Sequence, residues 1–309
     1  MAEQHTNQQA APVARPATRQ QWHLELDASG APPLSQVATG SGLSKQALKR
    51  AMRQGAVWAG HGNQVQRWRR VDKALPPGTQ IHVYYDPHIL SQTPPSPTLI
   101  ADEQSYSVWY KPYGLASQGS KWGDHFAIDR WINQHLEPQR PAFIVHRLDR
   151  AASGLMLIAH RKRSAAALSA QFQQRSVEKR YQALVRGRFQ EDETVRIDQP
   201  IDGRHASSQV TLAHYFADQD LSLLNVLIET GRKHQIRRHL AGIGFAIVGD
   251  RLYGQADSGA ADLQLCAWQL VVHCPVEQRR KCFTLPEQYR LHTPYPYPDS
   301  NSPTGHGSR

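Results

Sequence analysis

Cysteine is scarce in this chain: three residues, Cys266, Cys274 and Cys282, among 309. So sparse and odd a count argues against a disulfide framework and fits a reducing cytoplasm, the expected localisation. No two of them are spaced C-x-x-C, the common zinc-site pattern, so free thiols in or near the core are the simpler reading and no metal is expected. Long apolar runs are missing as well. None approaches the roughly 18 residues of a membrane span, and Met1 to Gln20, rich in Gln, Ala, Thr and Arg, lacks the apolar stretch of a secretory signal. No membrane association is expected. Acidic side chains are outnumbered, 26 Asp and Glu against 36 Lys and Arg, for a net charge of +10 and a pI of about 9.7. Such a surplus favours polyanions, phosphate backbones above all, through counterion release.

What is present is an ordinary globular composition, 39% hydrophobic and 20% charged. The length suits two domains and a core that needs no staple; a monomer is expected. Residues 1–20 and 292–309 are polar, proline-bearing and aperiodic, and read as disordered tails. Residues 21–86 read as a small domain. Pro87, Pro94, Pro95 and Pro97 mark 87–98 as a semi-rigid linker. Residues 99–291 read as a large domain in which strands (Leu155–Ala159, Tyr181–Val185, Leu221–Ile228, Leu263–Val272) mix with helices without strict alternation, so the fold class is α+β. One helix is expected to be capped by Ser164, with Ala165, Leu168 and Phe172 at helical spacing; another spans His234 to Ile243.

In the small domain Ser44 is placed to cap a helix running to about Gln54, with Ala47, Leu48, Ala51 and Met52 as its apolar stripe. Lys45, Lys49 and Arg53 recur every four residues and share a face; Arg50 lies beside them, and Arg67 and Arg69 follow on or just beyond a strand. These six are the expected RNA-contacting cations of this domain, since such a cluster neutralises several phosphates at once. The alternative is a solvated basic surface without a partner. Helix, Gly-Ala-Val turn and basic strand together resemble the small RNA-binding module first described in a ribosomal protein, the S-four type, which implies RNA rather than DNA.

The most informative segment is His146-Arg147-Leu148-Asp149-Arg150, followed by Ala151-Ala152-Ser153-Gly154. A cation beside a carboxylate favours its ionised form, and a carboxylate held near a strand end is equipped to act as nucleophile or base. An ordinary structural Arg–Asp pair is the competing reading. Gly231-Arg232-Lys233-His234-Gln235-Ile236-Arg237-Arg238-His239 sets a glycine turn before a basic helix whose N-terminus suits an anion. Glu178-Lys179-Arg180-Tyr181-Gln182-Ala183 puts an aromatic ring on a strand, where a core role competes with a functional one.

These three segments, in this order, resemble the RluA family of pseudouridine synthases. Lys111-Pro112-Tyr113-Gly114 upstream and Ile247 to Gly254 downstream look like further blocks of the same family, so the resemblance spans about 100–290. It implies a mixed or antiparallel sheet in the catalytic domain, with the small α/β RNA-binding domain in front. It also implies an isomerase that converts uridine to pseudouridine in RNA, with no cofactor. By the same resemblance Asp149 matches the catalytic aspartate, Tyr181 the active-site tyrosine that packs against the base, and Arg237 the arginine paired with the catalytic carboxylate. Arg147 matches the residue that displaces the base from its stack. Ala152 replaces the family's usual threonine, and Phe245 and Ala246 replace its His-Pro; neither change removes a catalytic group. The RNA-binding module favours large-subunit ribosomal RNA as the target over transfer RNA. A non-catalytic RNA-binding or ribosome-assembly factor is the rival from another class.

Overall fold

The computed structural model describes residues 18–62, 64–189, 194–254 and 262–291. The expected tails lie outside these residues, apart from Thr18 to Gln20, and strand β1 (Gln20–Glu25) already begins there. The chain divides into two compact units. One holds the residues up to Pro94 together with Gln118–Arg130; the other holds Pro95–Ser117 and everything from Trp131 on.

In the small unit β1 is followed by α1 (Pro33–Ser41), α2 (Lys45–Arg53), β2 (Val57–His61), β3 (Gln64–Arg67), β4 (Gln80–Tyr85) and α3 (Pro87–Ser91). The strands form an antiparallel sheet of order β1-β4-β2-β3. Helix α2 starts as its sequence indicates: Ser44 Oγ accepts the Ala47 N–H at 3.1 Å, and Ala47, Leu48, Ala51 and Met52 are buried. They pack on Val57, Ile81 and Val83 of the sheet, and burying a side chain such as Leu48 is worth about 1.5–3 kcal/mol. Strand β4 shows the period of two, with Ile81, Val83 and Tyr85 buried between more exposed residues.

Within the proline-rich stretch 87–98, α3 covers Pro87–Ser91 and β5 begins at Thr98. Pro87 opens that helix, where its fixed φ and missing N–H cost nothing, and Asp86 Oδ1 accepts from the N–H groups of His88 and Ile89. Residues 118–130, read in the sequence as part of the large domain, join the small unit instead. Asp124 is buried there and receives the guanidinium groups of Arg67 and Arg69. Its N–H bonds Gln54 O at 2.9 Å, and Trp58 Nε1 donates to Lys121 O at 3.1 Å. Burying a carboxylate's charge is costly unless cations meet it, and the small unit supplies two.

The large unit contains β5 (Thr98–Asp102), β6 (Tyr106–Lys111), β7 (Phe143–Ile144), β8 (Ser153–Ala159), α5 (Lys162–Gln173), β9 (Glu178–Arg186), β10 (Val195–Ile197), β11 (Ser208–Phe216), β12 (Leu221–Ile228), α6 (Gln235–Gly242), β13 (Leu265–His273) and β14 (Arg280–Thr284); the division between the units falls inside α4 (Ile128–His135). Ten strands make one sheet, of order β10-β11-β12-β9-β13-β8-β6-β5 with β14 on β13 and β7 on β8. The architecture is α+β, and the sheet is mixed because β8 and β13 run parallel while their neighbours are antiparallel. Helix α5 begins at Lys162 with Arg161 as its N-cap, and Ser164 lies buried inside the helix rather than capping it. The run Arg161-Lys162-Arg163 carries no apolar periodicity, so the first turn is invisible to pattern reading. Cys266 and Cys274 are buried and Cys282 is exposed, all as free thiols. No helix among the described residues is long and apolar enough to cross a membrane.

One glycine decides how the sheet meets the segment singled out above. Gly154 stands at the start of β8 with φ +119, and a Cβ there would come within 2.3 Å of the Ala267 backbone N and O. Only glycine lets β8 reach β13 this closely at that angle, and the loop of Asp149 runs directly into it.

Candidate active site

Asp149 sits on the irregular loop between β7 and β8. That loop is stitched to the segment 111–117 from three sides. Ser117 Oγ donates to Leu148 O at 2.7 Å and accepts the Leu148 N–H at 2.9 Å. The Gly114 N–H bonds Arg150 O at 2.9 Å. Lys111, fully buried, sends its ammonium to Leu115 O at 2.8 Å, Pro112 O at 3.1 Å and Arg150 O at 3.4 Å. Burial pulls the Lys111 amine down to about 7, against the attraction of the Asp149 charge. On the other side His146 accepts the Leu157 N–H at 2.9 Å and stacks on Phe172, so it anchors the loop to β8 and α5. Asp149 thus presents a half-buried carboxylate from a backbone fixed at both ends.

The carboxylate faces an open cavity of about 400 Å³. Tyr181, on β9, forms part of its wall beside Ile228 and Leu265. The phenol is buried, and desolvation, reinforced by the nearby Asp149 charge, pushes its ionisation well above the ordinary range, so it stays neutral. Arg147 is exposed and lines the same cavity, as do Arg232 and Lys233. Among the described residues lining the cavity Asp149 is the sole carboxylate. The site therefore combines one acid, a neutral aromatic ring, apolar walls and several cations.

Helix α6 brings the remaining charge. Gln235 is buried and pins the turn before the helix: its amide oxygen accepts from Thr230 Oγ1 at 2.6 Å and the Arg232 N–H at 3.0 Å, and its NH2 donates to Ser207 O and Ser208 Oγ. Further along α6, Arg237 lines the cavity. Its Nη1 lies 3.6 Å from Asp149 Oδ2, but its firm partner is Asp250, reached by a bidentate fork at 2.7 Å from both Nε and Nη2. The family resemblance assigns this arginine to Asp149; the structure divides it between two acids. The fork geometry makes the buried Asp250 pair the stronger one, leaving part of the charge directed at Asp149. Asp250 also accepts the N–H groups of Leu252 and Tyr253, at 2.9 and 3.1 Å.

Two residues at the site carry no assignment from the sequence. His234 places Nε2 at 3.8 Å from Asp149 Oδ1 and Nδ1 at 2.9 Å from Tyr253 Oη. Tyr253 in turn lies under the Arg237 guanidinium, 5.2 Å from its ring centre. Both stand inside segments recognised as blocks, but neither residue type by itself advertises its place: His234 beside a carboxylate 85 residues earlier in the chain, Tyr253 behind His234.

In the small unit the expected RNA contacts separate into two sets. Lys45, Lys49 and Arg53 are exposed along one face of α2 with no ion-pair partner among the described residues. Arg50 is exposed but also donates to Leu90 O at 3.1 Å. Arg67 and Arg69 are only partly exposed and are engaged within the unit: both meet Asp124, Arg67 also bonds Gly55 O and Ser120 O and covers the Trp58 ring, and Arg69 bonds Arg53 O. Neutralising Asp124 competes with any phosphate for these two.

The chain is similar to known proteins over most of its large unit. The pattern of the family described as RNA pseudouridylate synthase matches residues 105–242. The dual-specificity RNA pseudouridine synthase RluA of Vibrio vulnificus is 33% identical over 188 residues, 55% of this chain and 74% of that protein. The ribosomal large subunit pseudouridine synthase D of Nitrosomonas europaea is 38% identical over 190 residues, 53% of this chain and 54% of that protein. Among solved structures, the human RNA pseudouridylate synthase domain containing 1 aligns with a TM-score of 0.54 at 21% identity, covering 63% of this chain and 86% of its own.

Proposed function

Since the chain belongs to the RluA family of RNA pseudouridine synthases, we propose that it isomerises uridine in large-subunit ribosomal RNA, with Asp149 acting at the ribose of the flipped nucleotide. The observation that carries this reading is the cavity in which a lone carboxylate stands among cations beside a neutral aromatic wall. The reaction breaks the uracil N-glycosidic bond, turns the base and rejoins it through carbon 5. A paired uridine must first leave its stack, at a cost of roughly a few kcal/mol; Arg147, exposed at the cavity, fills the vacated space. Tyr181 offers its face to the freed uracil. Asp149 attacks C1′ or removes the C2′ proton to expel the base, and Arg237, locked by Asp250, keeps a fixed positive charge beside it.

Ribosomal RNA is favoured over transfer RNA by the small basic unit in front of the catalytic unit and by the named target of the Nitrosomonas relative. The test is tritium release from C5-labelled uridine in unmodified large-subunit ribosomal RNA and transfer RNA. Release from the ribosomal transcript is expected; release from transfer RNA alone overturns the target assignment, and release from neither brings forward the RNA-binding factor. For the small unit, Lys45, Lys49 and Arg53 are the phosphate contacts. Changing all three to alanine is expected to weaken RNA binding and to flatten the slope of log K against log salt by about 2, at roughly 0.7 per lost phosphate contact on single strands. A slope equal to wild type removes this face from the RNA interface.

A further inference from the structure

We propose that His234 is the base that takes the proton from carbon 5 of the re-attached uracil. The inference rests on the reading of the cavity given above and adds a group to it. Re-attachment through C5 leaves that carbon bonded to both C1′ and its original hydrogen. To finish, the C5–H bond must break, its electron pair must restore C5=C6, and the C6=N1 pair must move onto N1, which takes a proton from solvent. Some group at the cavity has to accept the C5 proton and later release it to water.

The cavity wall narrows the choice. Arg147, Arg232, Lys233 and Arg237 are cations without a lone pair to offer. Tyr181 is a buried neutral phenol. Asp149 is kept for the ribose, at C1′ or C2′, and the C5 proton is assigned to a second group. Lys111 is fully enclosed and spends its ammonium on three carbonyls. His234 remains. In the tautomer that this role requires, Nδ1–H donates to Tyr253 Oη at 2.9 Å and Nε2 carries the lone pair, 3.8 Å from Asp149 Oδ1. That gap is too long for a hydrogen bond, so Nε2 is not consumed by the carboxylate it faces.

The backbone supports a role for this side chain. His234 occupies the N-cap of α6 with φ 54 and ψ 31, in the left-handed region, and makes no side-chain capping bond. A residue with a Cβ is disfavoured there, and such strain concentrates where function requires it. Asp250 fixes the arrangement from behind, since it holds the Tyr253 N–H that places the phenol against Nδ1. The charged groups facing the imidazole are Asp149, Asp250, Arg237 and Lys233. Burial and the two cations lower its proton affinity, outweighing the two carboxylates, which keeps the ring neutral and able to accept.

The left-handed position makes the test clean, because glycine and asparagine adopt it more readily than most residues. His234→Gly and His234→Asn should fold, bind RNA as wild type does, and lose about 100-fold or more in turnover, the scale of a missing general base. Turnover would be compared for ribosomal RNA transcripts carrying hydrogen or deuterium at C5 of uridine. Wild type is expected to show equal rates, whereas both variants are expected to show a primary isotope effect, because proton loss then limits the rate. Added imidazole should restore turnover to His234→Gly and erase the effect. Isotope-insensitive variants that imidazole does not rescue, or variants as fast as wild type, overturn the inference while wild-type turnover leaves the reaction assignment standing. Absence of wild-type turnover on ribosomal and transfer RNA alike overturns the reaction assignment and the inference with it.

Discussion

Asp149→Asn is expected to abolish pseudouridine formation, with a loss on the order of 10⁴-fold or more, the scale on which removing a catalytic carboxylate costs an enzyme its rate. The substitution keeps the shape and removes the charge and the nucleophilic oxygen. It should leave the fold untouched for a structural reason. The Asp149 contacts to Arg237 and His234, at 3.6 and 3.8 Å, are both longer than hydrogen bonds, and Arg237 retains Asp250 as its partner. Melting temperature and RNA affinity should therefore stay close to wild type while tritium release disappears. A variant that keeps turnover within about tenfold of wild type removes Asp149 from the chemistry, since a general base or nucleophile is worth far more than that.

Asp250→Ala carries the largest expected effect on stability. The Asp250 side chain is 0% exposed and Arg237 6%. Deleting one member of such a pair strands a buried guanidinium, at a cost of about 3–5 kcal/mol, and it also releases the N–H groups of Leu252 and Tyr253. In a domain of this size that is a fall of roughly 10 °C in melting temperature, to be read by calorimetry. Activity should fall with it, because the same carboxylate fixes Arg237 beside Asp149 and Tyr253 against His234. Burial opposes the Asp250 charge, but the Arg237 hydrogen bond and the two backbone donors outweigh it and hold its pKa below the ordinary aspartate value of 3.8. A depressed carboxyl contributes stability above its unfolded pKa and loses it as the pH falls through the folded value. Wild type should thus show an acid-unfolding component below pH 3.8 that Asp250→Asn lacks. An alanine variant as stable as wild type would mean that Arg237 finds another partner.

The contrast between these two acids shows what the sequence made legible. Asp149 announces itself through Arg147, Arg150 and the Ser-Gly turn, all within a few residues. Helix α2 with its Ser44 cap, and strand β12 at Leu221–Ile228, follow from local periodicity and are found at the expected positions. Asp250 announces nothing, because its role depends on Arg237, 13 residues earlier, and on a hydrogen-bond fork that no pattern encodes. His234 is hidden for a different reason: its left-handed backbone and its two partners exist only once α6 and the 250–253 turn have formed. The engagement of Arg67 and Arg69 with Asp124 is likewise a long-range choice, made across 55 or more positions in the chain. Local rules describe the basic face of α2 well because nothing distant competes for Lys45, Lys49 and Arg53.

The excursion of residues 118–130 into the small unit has a consequence for biosynthesis. A ribosome makes the chain from the N-terminus, and a domain whose residues were consecutive would be able to fold as soon as its last one emerged. Here the small unit lacks Asp124, the counter-charge of Arg67 and Arg69, until synthesis has passed well into the segment that follows β6. Residues 18–94 emerge with their sheet and core cluster but without that counter-charge while the opening strands of the large unit are produced. The two units thus mature as interleaved rather than successive events, and a fragment ending at the proline-rich segment is born without the piece that neutralises its own arginines.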